Sequence, residues 1–186
     1  MCRFWELGKL FRNAVHSDEE RYSVGIQMKP YFEDEQHWGE LLEELEEWKG
    51  TPYRHLGTLK GRGVDCTLFV AMSLKNIGLF KRIEYEYYSK DWHLHGQHDK
   101  VLMSYLDNAK NLRDGLRIDV MEELALPPYR GDIELLSLFK YGVIHHCGIY
   151  LGSDEMIHAL GTRGVHITHF GAWKGHVRRT IRLMEK

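Results

Sequence analysis

Cys66 follows a glycine-punctuated loop over residues 50–64 and opens an apolar run of Leu68, Phe69, Val70, Met72, Leu74 and Ile77. That pattern sets a thiol on the first turn of a buried helix. Backbone N–H groups there have no intrahelical acceptor, and the positive end of the macrodipole favours an anion. Both stabilise the thiolate, which is the nucleophilic form. Asp65, immediately before it, suits the N-cap. A free cysteine is otherwise a small, buried, inert residue, so the chemistry depends on what faces the thiol.

A thiolate nucleophile needs a base, and the base needs an orienting partner. Residues 143–151 read as a strand that carries His145 and His146. Alternation puts Ile144, His146, Gly148 and Tyr150 on one face, and His145, Cys147, Ile149 and Leu151 on the other. On the next strand, Met156 and His158 share a face. His146 and His158 are therefore expected side by side over the cysteine helix, with Gly148 leaving room for substrate or helix to approach. Spacing alone admits His145 as the base on nearly equal terms. Cys147 with His145, or His93 with His95, offers metal ligands, but C-x-x-C and H-E-x-x-H spacings are missing. No metal or other cofactor is expected. His166, His169 and His176 read as surface or turn histidines.

The elements that must position these groups follow from periodicity. A helix is expected over 33–49, with Trp38, Leu41, Leu42, Leu45 and Trp48 on one face and glutamates elsewhere. Gly50 ends it and Pro52 prevents its resumption. A second helix covers 66–77 and stops at Gly78. A third covers 99–110, and a further segment over 117–126 ends at Pro127-Pro128. Strands are expected over 133–138, 143–151, 155–159, 165–168 and 176–183, the last closing the sheet. Before all of these, Phe4, Trp5, Leu7, Leu10 and Phe11 suggest a short amphipathic helix, and Lys29-Pro30 extended chain. Helices first and a meander of strands afterwards is an α+β pattern.

Composition narrows the class. The 186 residues suffice for one domain with a core, and the net charge of −2 carries no basic field for nucleic acid. No apolar run is long enough to span a membrane. Three cysteines do not make a disulfide scaffold in a chain of this size. The N-terminus has neither an apolar signal region nor a small-residue cleavage site. The expectation is a chain that is cytoplasmic at synthesis and reaches any extracellular target by another route.

Five ordered motifs then converge: Gly50-Thr51-Pro52-Tyr53, Asp65-Cys66-Thr67, Gly131-Asp132-Ile133, His146-Cys147-Gly148-Ile149-Tyr150-Leu151-Gly152 and Ile157-His158-Ala159. Together they resemble the G-T-P-Y, D-C-S, G-D-L, H-V-G-I-Y-L-G and I-H-A patterns of the NlpC/P60 family. These are papain-like cysteine peptidases, most of which cut the peptide stems of bacterial peptidoglycan. The resemblance spans about residues 36 to 183. It implies an α+β, papain-like fold with the nucleophile helix packed on an antiparallel sheet. The domain would run over 34–186, after an N-terminal extension at 1–33 and with an insertion at about 81–128.

The resemblance also implies roles. Cys66 is the nucleophile, His146 the general base and His158 the third, orienting residue. Tyr53 stands near the oxyanion, with the Cys66 N–H as second donor. Asp65, Thr67 and His145 are expected around them as oxyanion or substrate-binding groups. The implied substrate is a peptidoglycan stem peptide with a D-γ-glutamyl-diaminopimelate type of bond. Two positions depart from the pattern: Thr67 stands for serine and Cys147 for a common valine. Tyr88-Ser89-Lys90-Asp91-Trp92-His93-Leu94-His95 resembles relatives from phages and phage-like particles, which implies tail or particle proteins as partners. A papain-like acyltransferase and a non-catalytic assembly module are the alternatives.

Overall fold

The computed structural model describes residues 28–90, 92, 99–122, 127–138 and 142–186. The amphipathic pattern at 4–11, and His93 and His95, lie outside them. Helix α1 spans Glu35–Trp48. Asp34 caps it, accepting from Gln36 N at 2.9 Å and His37 N at 3.0 Å. Trp38, Leu41, Leu45 and Trp48 are buried at helical spacing, while Leu42 is exposed at the margin of that face. Helix α2, Cys66–Asn76, is buried on nearly every side, as its lack of amphipathic pattern requires. Trp48 of α1 meets Phe69 of α2 edge-to-face at 5.9 Å. Helix α3, Lys100–Asn108, turns Val101 and Tyr105 inward.

The strands are β1 (Lys29–Pro30), β2 (Thr58–Leu59), β3 (Gly63–Val64), β4 (Leu116–Glu122), β5 (Ile133–Leu136), β6 (His146–Gly152), β7 (Glu155–Leu160), β8 (Gly164–His169) and β9 (Val177–Glu185). Strands β2 and β3 form a small hairpin in the loop before α2. The other seven form one antiparallel sheet, ordered β1-β9-β5-β6-β7-β8 with β4 also on β9. Both β1 and β4 pair with Met184 and Glu185, so they flank β9 on opposite edges. The last strand, expected to close the sheet, therefore runs through its interior. The segment over 117–126 is the reason: its first part is strand β4, whose seven residues cover the free edge of β9. Tyr31 and Phe32, at the end of the expected extension, are buried in the core.

The main core fills the space between the helices and one face of the sheet. That face carries Ile133, Leu135, Cys147, Ile149, Ile157 and Ala159. A smaller cluster of Leu136, Tyr150, Met156, Phe170 and Val177 lies on the other face. Two 3-10 turns, Phe170–Ala172 and Lys174–His176, cover it.

Candidate active site

The loop before α2 is docked on β8. Gly50 N donates to Val165 O, and Val165 N donates to Thr51 O, both at 2.9 Å. The loop then folds on itself through Arg54 N to Val64 O and Val64 N to Pro52 O, each at 3.0 Å. A side chain at Gly57 would place its Cβ 2.4 Å from Gly63 O. Only glycine permits that approach, which delivers Asp65 and Cys66 to the start of α2. Asp65 is buried and satisfied by three donors: Leu68 N and Leu56 N at 2.9 Å and the Tyr88 hydroxyl at 3.0 Å. It caps the helix and ties the preceding loop to it.

Cys66 retains 6% exposure at the helix end. Its thiol points to His145 O at 3.9 Å, a long contact, and lies 3.9 Å from Thr67 Oγ1. Beneath it, the Cys147 thiol donates to the Cys66 carbonyl at 3.3 Å. Cys147 also contacts the Tyr105 hydroxyl at 3.5 Å, and that hydroxyl donates to Thr67 O at 3.3 Å. Strand β6 thus meets α2 through Cys147, not through His146.

His146 and His158 share a sheet face, as alternation requires. It is the face turned away from the body of α2, which corrects the expectation that both lie over the helix. The pair gathers at the end of β6, where the N-terminus of α2 brings Cys66 within reach of the His146 ring. His146 Nε2 and His158 Nδ1 are hydrogen-bonded at 2.9 Å. His158 Nε2 lies 3.1 Å from Thr168 Oγ1 on β8. The Trp173 ring stands perpendicular to His158 at 4.7 Å and lies 6.1 Å from His146. Gly148 leaves space for these side chains rather than for substrate or helix. A Cβ there would lie 2.9 Å from Ile157 O and 3.0 Å from both His158 Cβ and Met156 Cγ.

Electrostatics separate the groups. The neighbouring Cys147 thiol, then the charge and hydrogen bond of His146, hold the Cys66 thiol well below its ordinary value against the effect of burial. Burial pushes Cys147 well up, so of the two thiols Cys66 is the more readily ionised. Burial, then the neighbouring His146 and His166, push His158 down to about 3. His158 is neutral at any pH near 7. Burial and then the Cys66 charge raise the Tyr53 phenol, which stays protonated and able to donate. Asp65 is raised by burial and by Cys66, opposed by its three donors.

The remaining expected residues sit as follows. Tyr53 is half-buried beside the site and bridges to Val64. Thr67 is buried one residue into the helix. His145 brings its backbone carbonyl to the thiol, while its Nδ1 faces Val143 O at 2.9 Å. His166 is a correction: it is half-buried, opposite His158 in the β7–β8 register, with the rings 5.3 Å apart. His169 is exposed and pairs with Asp154 at 2.9 Å. Thr168, Trp173, Tyr105 and the role of Tyr88 were not expected from the sequence. The even spacing of His166 and Thr168 on β8 was the available signal for the first. Among the described residues, no group of three or more His, Cys, Asp or Glu side chains could hold a metal ion. A cavity of about 330 Å³ opens beside the first turn of α2, walled by Thr67, Tyr85, Tyr88, Trp92, Lys100 and Met103.

A sequence model of the NlpC/P60 family matches residues 50–182. The chain belongs to the NlpC/P60 family. Among solved structures, a lipoprotein-like NLP/P60 family protein from Staphylococcus aureus matches at TM-score 0.52 and 16% identity, over 87% of this chain and 45% of that one. The NlpC/p60 domain of peptidoglycan hydrolase SagA matches at TM-score 0.46 and 15% identity, over 80% of this chain and 97% of that one. The peptidoglycan hydrolase RipB from Mycobacterium tuberculosis matches at TM-score 0.45 and 15% identity, over 98% and 79%. At its identity, the likeness to the Staphylococcus aureus protein is one of fold. It agrees with the α+β, papain-like NlpC/P60 architecture seen here. No curated protein matches the sequence significantly. The expected phage-tail or particle partners find no support among these neighbours.

Proposed function

We propose that this NlpC/P60 domain is a cysteine peptidase that hydrolyses amide bonds in peptidoglycan stem peptides. The observation that carries this reading is the hydrogen-bonded His146–His158 pair beside the Cys66 thiol at a helix N-terminus. His146 Nε2 is engaged with His158, so its Nδ1 is the nitrogen left for the thiol. Cys66 Sγ attacks the substrate carbonyl carbon as its proton passes to His146 Nδ1. The tetrahedral oxyanion takes hydrogen bonds from the Cys66 N–H, which has no intrahelical acceptor at this position, and from the Tyr53 phenol. Collapse breaks the C–N bond, and the imidazolium returns the proton to the leaving amine. Water, deprotonated by His146, then attacks the thioester carbonyl; the acid is released, and the imidazolium returns its proton to the departing Cys66 thiolate. His158 accepts the His146 Nε2–H throughout and keeps the ring in the useful orientation.

The peptidoglycan hydrolases among the structural neighbours and the family membership support the substrate class. Within it we favour D-γ-glutamyl-diaminopimelate-type bonds. The test is digestion of purified muropeptides with mass spectrometry of the products. New amine and acid ends at one stem position are expected, and Cys66→Ala should abolish them while circular dichroism stays native. Undiminished hydrolysis by Cys66→Ala would sink the mechanism. Amide products formed only with added amine would mark an acyltransferase instead.

A further inference from the structure

The His146–His158 pair works in one direction only, and one proton decides which. A neutral imidazole carries a single N–H, placed by the partners of its two nitrogens. If the His158 proton sits on Nδ1, it points at His146 Nε2, and His146 must carry its own proton on Nδ1. His146 then faces the thiol with an N–H and cannot accept from it. If the proton sits on Nε2, His158 Nδ1 is an acceptor, His146 donates to it, and His146 Nδ1 is a base.

We propose that Thr168 is a positioning residue whose hydroxyl oxygen holds His158 in the Nε2–H tautomer and thereby makes His146 a base. This rests on the catalytic reading of Cys66, His146 and His158. His158 is fully buried, so bulk water does not reach its Nε2. Thr168 Oγ1 lies 3.1 Å away. In the β7–β8 register, Thr168 stands opposite Met156 and His166 opposite His158, so Thr168 reaches the imidazole diagonally. The titratable groups on this face include His146 on β6, His166 on β8, Glu134 on β5 and, farther from the pair, Arg182 on β9 with its partner Asp132. Trp173 covers the pair from the 3-10 turns. When His146 becomes an imidazolium, both its nitrogens donate, and only the Nε2–H form of His158 can receive one of them. The threonine oxygen thus matters most in the charged state through which the reaction passes.

Nitrogen-15 spectra of the imidazoles test this directly. In the wild-type protein the His158 proton is expected on Nε2. A His158 proton on Nδ1 would overturn the proposal without any variant. Thr168→Val should move the proton to Nδ1 and lower kcat on the order of tenfold to a hundredfold, part of the range general-base catalysis supplies. KM should stay near wild type, and Thr168→Ser should restore both the tautomer and kcat. A folded Thr168→Val enzyme with wild-type kcat, or a Thr168→Ser enzyme as slow as Thr168→Val, would also overturn it. The catalytic reading fails separately, through an active Cys66→Ala variant, whereas the tautomer is read in the spectra whatever the activity.

Discussion

At the scale of single residues, Gly148 shows how closely chemistry and packing are joined. It occupies the sheet position between Glu134 on β5 and the strand that carries His158. Its missing side chain is the space in which His158 and Met156 sit. The nearest obstacle to a Cβ is a backbone oxygen, Ile157 O, which cannot swing aside as a flexible side chain could. Gly148→Ala should therefore cost about 1–3 kcal/mol, as overpacked cores do. It should also displace His158 from His146. Urea unfolding together with muropeptide turnover checks both parts. A variant as stable and as active as wild type would contradict this packing.

At the scale of elements, the start of α2 is held by side chains far apart in sequence. Asp65 is a conventional cap toward Leu68, yet it also fastens Leu56 of the loop and Tyr88 of the segment after α2. Tyr88 in turn packs edge-to-face on His55 and Trp92, and its carbonyl bonds to His55 Nε2 at 2.7 Å. Residues 84–88 thereby form one wall of the cavity beside Thr67. Tyr88→Phe keeps the ring contacts and removes only the hydroxyl bond. A loss of about 1 kcal/mol is expected, the usual net worth of one hydrogen bond. Faster amide exchange at residues 84–88 should accompany it. Unchanged denaturation and exchange would mean that the hydroxyl bond does not hold this wall.

For the whole molecule, two buried groups should tilt stability with pH in opposite ways. Glu134 lies inside the sheet, with Oε2 accepting from Thr180 Oγ1 at 2.7 Å and no bonding partner for Oε1 among the described residues. Burial pushes its carboxyl up to about 8 from 4.5. The folded state then holds a proton that the unfolded chain loses between these values. Glu134 stabilises fully below about 4.5, and that contribution fades as pH rises through about 8. His158 behaves oppositely, since its folded value of about 3 lies below the ordinary 6.5. Its neutral, buried form is fully favourable above about 6.5 and costs stability as pH falls toward 3. Glu134→Gln should flatten the alkaline side, raising Tm relative to wild type at pH 9 and changing it little at pH 5. Thermal melts across this range check it, and parallel curves for the two proteins would refute it.

Much of this was legible in the chain. The helical spacing of Trp38, Leu41, Leu45 and Trp48 marks α1. The glycine loop, acidic cap and apolar run mark the start of α2. Alternation marks β6 and β7 and puts His146 and His158 on one face. These are local properties, set by backbone periodicity and capping chemistry, and they reside in consecutive residues. Which sheet face the nucleophile helix covers is not local. It depends on Cys147 meeting the Cys66 carbonyl, a contact across 81 residues. Nor is the interior place of β9, because edge and centre are decided by whether β4 finds its partner. Thr168 and Tyr88 became part of the site for the same reason. Their hydroxyls are ordinary in sequence, and only strand register and chain crossing bring them to His158 and Asp65.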